Sequence, residues 1–217
     1  MYESVLFDLD GTLTDPAEGI TNSVAYSLRK FGINISDRIE LYKFIGPPLV
    51  ESFRDFYDFD EEQSLLAVEY YREYFSEIGI FENSVYDGIE DMLKELKAND
   101  VCIILATSKP EIFAERILKH FHLEGYFDVI AGSTLSTERN TKSAVIEYAL
   151  KRACVTNKAN AIMVGDRKHD IIGAKENGLH SVGVLFGYGN ITELTNAGTD
   201  YIIETVNDLK TFLLKEI

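Results

Sequence analysis

The residues able to do chemistry begin at position 8. Val5, Leu6 and Phe7 form an apolar run that ends in Asp8, Leu9, Asp10, Gly11 and Thr12. Two carboxylates therefore stand two residues apart, on the same side of an extended chain. Thr107, Ser108 and Lys109 follow a second apolar run, Lys142 follows a third across a loop, and Gly165, Asp166 and Asp170 follow a fourth. Carboxylates in such places serve as nucleophiles, as general acids or bases, or as ligands for a hard cation. Collecting several of them at one edge is costly unless a cation joins them.

That collection requires the runs to be neighbouring strands. The stretches 5–7, 101–106, 129–131, 161–164 and 181–184, with a weaker one at 201–203, are short, apolar and bounded by turn residues. They read as buried strands of a parallel sheet. Between them, apolar residues recur at helical spacing: Ile89, Met92, Leu93 and Leu96; Ile112, Arg116, Ile117 and Phe121; Val145, Ile146, Ala149 and Leu150; Leu209, Phe212 and Leu213. The alternation predicts an α/β fold with a doubly wound, mostly parallel sheet. Ligands of such sheets bind beyond the carboxyl ends of the strands, where all the residues above fall.

Residues 15–84 break the alternation. They show no strand-like run and keep helical periods instead, as in Val24, Ser27, Leu28 and Phe31, or Leu66, Tyr70, Tyr71, Tyr74 and Phe75. The predicted organisation is a sheet domain at 1–14 and 85–217, interrupted by a helical module at 15–84. Asp15 with Pro16, and the turn residues from Asn83 to Gly88, suit the crossings.

The 217 residues are 46% apolar and 26% charged, ordinary globular usage that argues against disorder. Lys plus Arg number 21 against 36 Asp plus Glu, giving −15. Such a charge argues against a broad surface for nucleic-acid polymers or anionic membranes, so an anionic ligand needs a local site. Cys102 and Cys154 have no close Cys or His partner in sequence and are expected to be buried free thiols. The first residues carry no basic segment ahead of an apolar run, and no stretch approaches a membrane span. The expected setting is the cytoplasm, as a monomer or weak homodimer.

Together the motifs resemble the haloacid dehalogenase superfamily over essentially the whole chain. Asp8–Leu9–Asp10–Gly11–Thr12–Leu13–Thr14–Asp15 is similar to its first motif, Thr107 to the second, Lys142 to the third, and Gly165–Asp166 with Asp170 to the fourth. The resemblance implies that Asp8 is a nucleophile forming an aspartyl-phosphate and that Asp10 is the general acid and then base. It implies Mg²⁺ held by the Asp8 carboxylate, the Asp10 backbone carbonyl and Asp166, with Asp170 supporting. Thr107, joined by the amides of Leu9 and Ser108, would bind the phosphoryl group, and Lys142 would stabilise its charge. The helical module looks like the small helical cap of that superfamily; its Lys43 and Gly46, before Pro47 and Pro48, are expected either to face substrate or only to lead into the helix holding Leu49 and Phe53.

Each residue also has a plainer reading. Asp10 with Gly11 makes a turn, Asp170 an ordinary N-cap, and Thr107 with Ser108 a helix entry before Pro110. Lys142 falls in the first turn of a helix beginning near Thr141, where the dipole disfavours a cation and a charge asks for a reason; its plainer reading is a solvated surface lysine. Lys109, Arg139, Arg167 and Lys168 fall near the same edge, where drawing in substrate is the alternative to the surface solvation expected of each, and His120 and His122 are expected to be structural. The strings Tyr42–Lys43–Phe44–Ile45–Gly46–Pro47–Pro48–Leu49, Thr141–Lys142–Ser143 and Gly165–Asp166–Arg167–Lys168–His169–Asp170 resemble the 5′-nucleotidase-like or phosphoglycolate-phosphatase-like branch. The expected function is Mg²⁺-dependent hydrolysis of a small phosphate ester. The alternatives are a phosphosugar mutase of the same superfamily and a phospho-accepting signalling module. A dehalogenase needs no second aspartate, so Asp10 argues against that branch.

Overall fold

The computed structural model describes residues 2–135 and 139–216. Met1 and Ile217, the outer ends of the predicted sheet domain, lie outside them. The chain divides into two compact units, one running from Asp15 to Ser84 and the other comprising the residues up to Thr14 together with those from Val85 onward.

The unit from Asp15 to Ser84 is built from α1 (Ala17–Lys30), a 3₁₀ segment (Arg38–Phe44), α2 (Leu49–Tyr57), α3 (Glu61–Tyr74) and a π turn (Phe75–Gly79). Pro48 precedes the first turn of α2, where a fixed φ and a missing N–H cost nothing. The side chains of Asp60 and Gln63 satisfy each other's backbone amides at the start of α3. Ser27 on α1 donates to the Ala67 carbonyl on α3 at 2.7 Å, and Phe44 packs on Phe53 with ring centroids 5.1 Å apart. Two-residue strands, Thr14–Asp15 and Ser84–Val85, mark the crossings. They are too short to register in the apolar pattern.

The other unit holds a six-stranded sheet: β1 (Ser4–Phe7), β2 (Cys102–Pro110), β3 (Val129–Ser133), β4 (Ala161–Gly165), β5 (His180–Val184) and β6 (Tyr201–Ile203). The spatial order is β3-β2-β1-β4-β5-β6, and each adjacent pair is parallel. Its helices are α4 (Ile89–Ala98), α5 (Glu111–His120), α6 (Lys142–Arg152), α7 (Lys168–Glu176), α8 (Ile191–Ala197) and α9 (Val206–Glu216). This is the doubly wound α/β fold that the alternation predicts.

Leu6, Ile104, Ala106 and Met163 on one sheet face form a core with Val145, Ile146, Ala149 and Ala174 of α6 and α7. Val5 and Phe7 alternate to the opposite face and are equally buried. Sealing each of the larger of these side chains, the alanines aside, from water stabilises the sheet by about 1.5–3 kcal/mol. The central strand thus has no wet face, which explains its unbroken apolar run.

Register brings the strand ends level. Phe7 of β1 lies beside Leu105 of β2 and Val164 of β4, so Asp8 leaves β1 level with Ala106 of β2 and Gly165 of β4. The β2 strand outruns the predicted 101–106. Its register against β3 shifts between Ala106 and Pro110, where four residues advance against two. Such an irregularity bends the strand and re-aims its side chains, here those of Thr107, Ser108 and Lys109.

Neither cysteine matches the buried expectation. Cys102 is half-buried, while Cys154 is exposed at φ 54° just past the end of α6. It holds a helix-terminating left-handed position, which sets its exposure whatever its polarity. Among the described residues, no helix is long and apolar enough to cross a membrane.

Candidate active site

Asp8 follows β1, and its amide donates to the Val164 carbonyl of β4 at 2.9 Å, so two strands fix it. Asp166 continues directly from β4. Asp170 is the third residue of α7, where its Oδ2 accepts from the Arg167 amide at 3.0 Å. It therefore satisfies a helix-start donor from inside the first turn, not from the N-cap position considered above. One oxygen each of Asp8, Asp166 and Asp170 lie within 4.8 Å of one another, and all three residues are buried.

Lys142 is the first residue of α6, whose N-cap is Thr141, with Thr141 Oγ1 accepting from the Ala144 amide. It is not a solvated surface lysine. Its ammonium lies 2.8 Å from Asp8 Oδ1, 2.8 Å from Asp170 Oδ1 and 3.0 Å from the Ala106 carbonyl. Three acceptors use all three of its protons. Burial works to strip a proton from the amine, but Asp170 and Asp8 outweigh it and hold the group above the ordinary lysine range.

Burial dominates the carboxylates too. It raises Asp170 to about 6 against the opposing pull of Lys142. Asp166 is raised well above the ordinary aspartate range by burial, then by repulsion from Asp170 and Asp8, with the Tyr188 amide opposing. Asp166 Oδ2 accepts from that amide at 2.7 Å, whereas the buried Oδ1 has no hydrogen-bond donor. A buried carboxylate oxygen without a donor, two more carboxylates close by and an all-oxygen set fit a hard divalent ion such as Mg²⁺.

Asp10 stands apart from that trio. Lys109 Nζ approaches its two oxygens at 2.8 and 2.7 Å, and the two side chains are 6% and 15% exposed for Lys109 and Asp10 respectively. Burial raises the Asp10 pKa, and Lys109 pulls against it. Lys109 is thus a partner of the site, contrary to the surface expectation. Thr107 is buried, and its Oγ1 accepts from the Lys109 amide at 3.2 Å, which leaves its own proton free to be given to an anion. Ser108, half-buried, lies between them on the irregular end of β2. Lys43 and Gly46 belong to the helical unit, both exposed, with Lys43 Nζ 4.6 Å from the centre of the Phe56 ring and Gly46 at φ 104°.

Arg139 and Arg167 also depart from simple solvation. Arg139 donates to the Gly132 carbonyl at 2.7 Å and to Glu111 at 3.0 Å, tying the residues before α6 to the end of β3 and the start of α5. Glu193 Oε1 accepts from Arg167 Nε at 3.0 Å and the Lys168 amide at 2.9 Å, fastening the segment after Asp166 to α8. Those two donors hold Glu193 below the ordinary glutamate range even though burial pushes the other way. Lys168 alone of these four cations is exposed.

Sequence reasoning missed the segment after β5. Gly187 and Gly189 flank Tyr188, whose amide holds Asp166. Side chains at Gly11 or Gly187 would strike the Asp166 carboxylate, one at Gly189 would strike its backbone carbonyl, and one at Gly165 would strike Asp170. The available signal was the Gly-x-Gly spacing directly after the apolar Leu185 and Phe186. Glu111 and Glu193 carried no such signal, because their partners are distant in the chain.

A family model described as haloacid dehalogenase-like hydrolase matches residues 5–184. The chain belongs to that family. Among solved structures, a predicted phosphatase from Clostridium acetobutylicum is 51% identical, covers 99% of both chains and superposes with a TM-score of 0.95. A 5′-nucleotidase of Pseudomonas aeruginosa is 44% identical over 89% of this chain and 87% of its own. The tyrosine-protein kinase PtkA of Mycobacterium tuberculosis is 36% identical over 95% of this chain and 70% of its own. Within the haloacid dehalogenase-like hydrolases this chain is therefore of the phosphatase type.

Proposed function

We propose that the protein hydrolyses a small phosphate monoester, of the nucleoside 5′-monophosphate or phosphoglycolate type, through an aspartyl-phosphate on Asp8. The observation that carries this reading is the buried trio Asp8, Asp166 and Asp170 with an unpartnered Asp166 oxygen, beside a second aspartate two residues beyond Asp8. The Asp8 and Asp166 carboxylates and the Asp10 backbone carbonyl would hold Mg²⁺, with Asp170 supporting. When bound, the ion would neutralise phosphate charge that otherwise repels a carboxylate nucleophile.

Asp8 then attacks phosphorus in line: its oxygen gains the P–O bond while the ester P–O bond breaks. Asp10 gives its proton to the departing alkoxide, a task suited to a carboxyl whose pKa burial raises. In the second half Asp10 takes a proton from water, the resulting hydroxide adds to phosphorus, and inorganic phosphate leaves Asp8. Thr107 donates to a phosphoryl oxygen throughout. Lys142 holds Asp8 and Asp170 together and shares its charge with the phosphoryl group as the transition state spreads it. The helical unit is read as a cap that carries Lys43 and Gly46 to the substrate and sheds bulk water. The protein is read as a cytoplasmic monomer or weak homodimer acting on small molecules, and the net charge of −15 argues against nucleic-acid polymers and anionic membranes as partners.

The test is phosphate release from a panel of nucleoside monophosphates, phosphoglycolate, sugar phosphates and phosphotyrosine with Mg²⁺, repeated in excess chelator. Multiple turnover on a small ester, lost on chelation and restored by Mg²⁺, is expected. Undiminished activity in chelator contradicts the reading. Conversion of a sugar phosphate without release would make the protein a mutase, and a long-lived phosphoprotein without turnover a signalling module.

A further inference from the structure

We propose that Gly173 and Asn177, on the side of α7 against α6, are positioning residues that set how far the Lys142 ammonium reaches toward Asp8 and Asp170. The inference rests on the hydrolytic reading above. Gly173 is the sixth of the nine residues of α7 and is buried. Glycine is the poorest helix former after proline, so one in a helix interior calls for a use.

That use is steric. A Cβ at Gly173 would come 3.0 Å from Lys142 Cγ, 3.1 Å from Ile146 Cδ1 and 3.1 Å from the Ser143 amide nitrogen. The first of these atoms belongs to the stem of the side chain that carries the ammonium. The stem runs over bare α7 backbone, and any side chain there would push it away.

One turn further along α7, Asn177 completes the arrangement. Its Nδ2 donates to the Ser143 carbonyl at 3.0 Å, to Ser143 Oγ at 3.2 Å and to the Gly173 carbonyl at 2.9 Å. Ser143 follows Lys142 directly, so Asn177 fastens the same turn that Gly173 allows to approach. A cation at the first position of a helix is opposed by the dipole. Close packing against α7 keeps it there, within reach of three acceptors that outweigh the opposition.

Gly173→Ala tests the proposal through kcat and KM on p-nitrophenyl phosphate with Mg²⁺ and through calorimetric Mg²⁺ titration of the substrate-free protein. Moving the stem by a few tenths of an ångström lengthens contacts that are now 2.8 Å. The expected result is a kcat lower by about tenfold with KM within about twofold. Mg²⁺ should bind about threefold more tightly, because Asp8 and Asp170 lose part of their cationic partner. The thermal midpoint should hold or rise, since alanine favours the helix.

Asn177→Ala frees the Ser143 turn without adding an atom beside the Lys142 stem. It covers the case in which Gly173→Ala fails to fold, with an expected kcat loss of about threefold. Wild-type kcat and Mg²⁺ affinity in folded protein of both variants would overturn the proposal. Should the wild type release no phosphate from any ester, the hydrolytic reading fails. The Mg²⁺ titration then decides the positioning role alone, and unchanged affinity in both variants overturns it.

Discussion

Two buried lysines at the same sheet edge are held in different ways. Lys142 starts a helix, meets Asp8, Asp170 and a β2 carbonyl, and spends every proton on them. Lys109 sits where β2 loses register and approaches the carboxylate of Asp10, which itself precedes a turn at Gly11 with φ 81°. The first arrangement ties two strand ends to two helices and suits groups that must stay still, a nucleophile and ligands for an ion. The second is built on irregular backbone at both ends and suits a carboxyl that must give a proton and later take one.

The largest expected effect follows from breaking the fixed half. Lys142→Met leaves Asp8 and Asp170 buried without their cation, and losing one partner of such a set costs about 3–5 kcal/mol of stability. Denaturant unfolding in chelator should show that loss, and a change below about 1 kcal/mol would show that the ammonium does not hold the carboxylates together. In the adaptable half the effect should fall on rate. Asp10→Asn is expected to lower kcat by about 10²–10⁴ while the protein stays folded. Lys109→Met should cost only about tenfold, since it removes a partner of the proton carrier and not the carrier. Equal losses in these two variants would erase the distinction between them.

The smallest effect sharpens how the fixed half is braced. Glu193 has a depressed pKa, so its stabilising contribution is present above the ordinary value of 4.5 and is lost as pH falls through the lower folded value. Glu193→Gln should cost about 1 kcal/mol at pH 7 and converge with the wild type well below pH 4.5. A difference that persists in acid would assign the effect to packing.

The same contrast separates what could be read in the sequence from what could not. Apolar runs mark strands because both faces of β1 are sealed, and their ends locate Asp8, Thr107 and Asp166 within a residue or two. The spacing of Val145, Ile146, Ala149 and Leu150 likewise places α6, and with it Lys142. Lys109 was read as solvated because nothing local distinguishes it; its burial depends on a register shift against β3 and on a carboxylate 99 residues away. Glu111 and Glu193 escape for the same reason, whereas the Gly187–Tyr188–Gly189 cradle leaves a local mark in its Gly-x-Gly spacing. Cys154 is exposed, contrary to the expectation from its residue type, because composition says nothing about a left-handed helix end.

The central claim is that Asp8 carries the phosphoryl group during turnover. Rapid acid quench of the wild type turning over a ³²P-labelled ester with Mg²⁺, followed by peptide mapping, reads it directly. The label is expected on the peptide containing Asp8, in less than one equivalent, and absent from Asp8→Asn protein that binds Mg²⁺ as the wild type does. Label on another residue, or turnover with no trapped phosphoprotein at any quench time, would contradict the account.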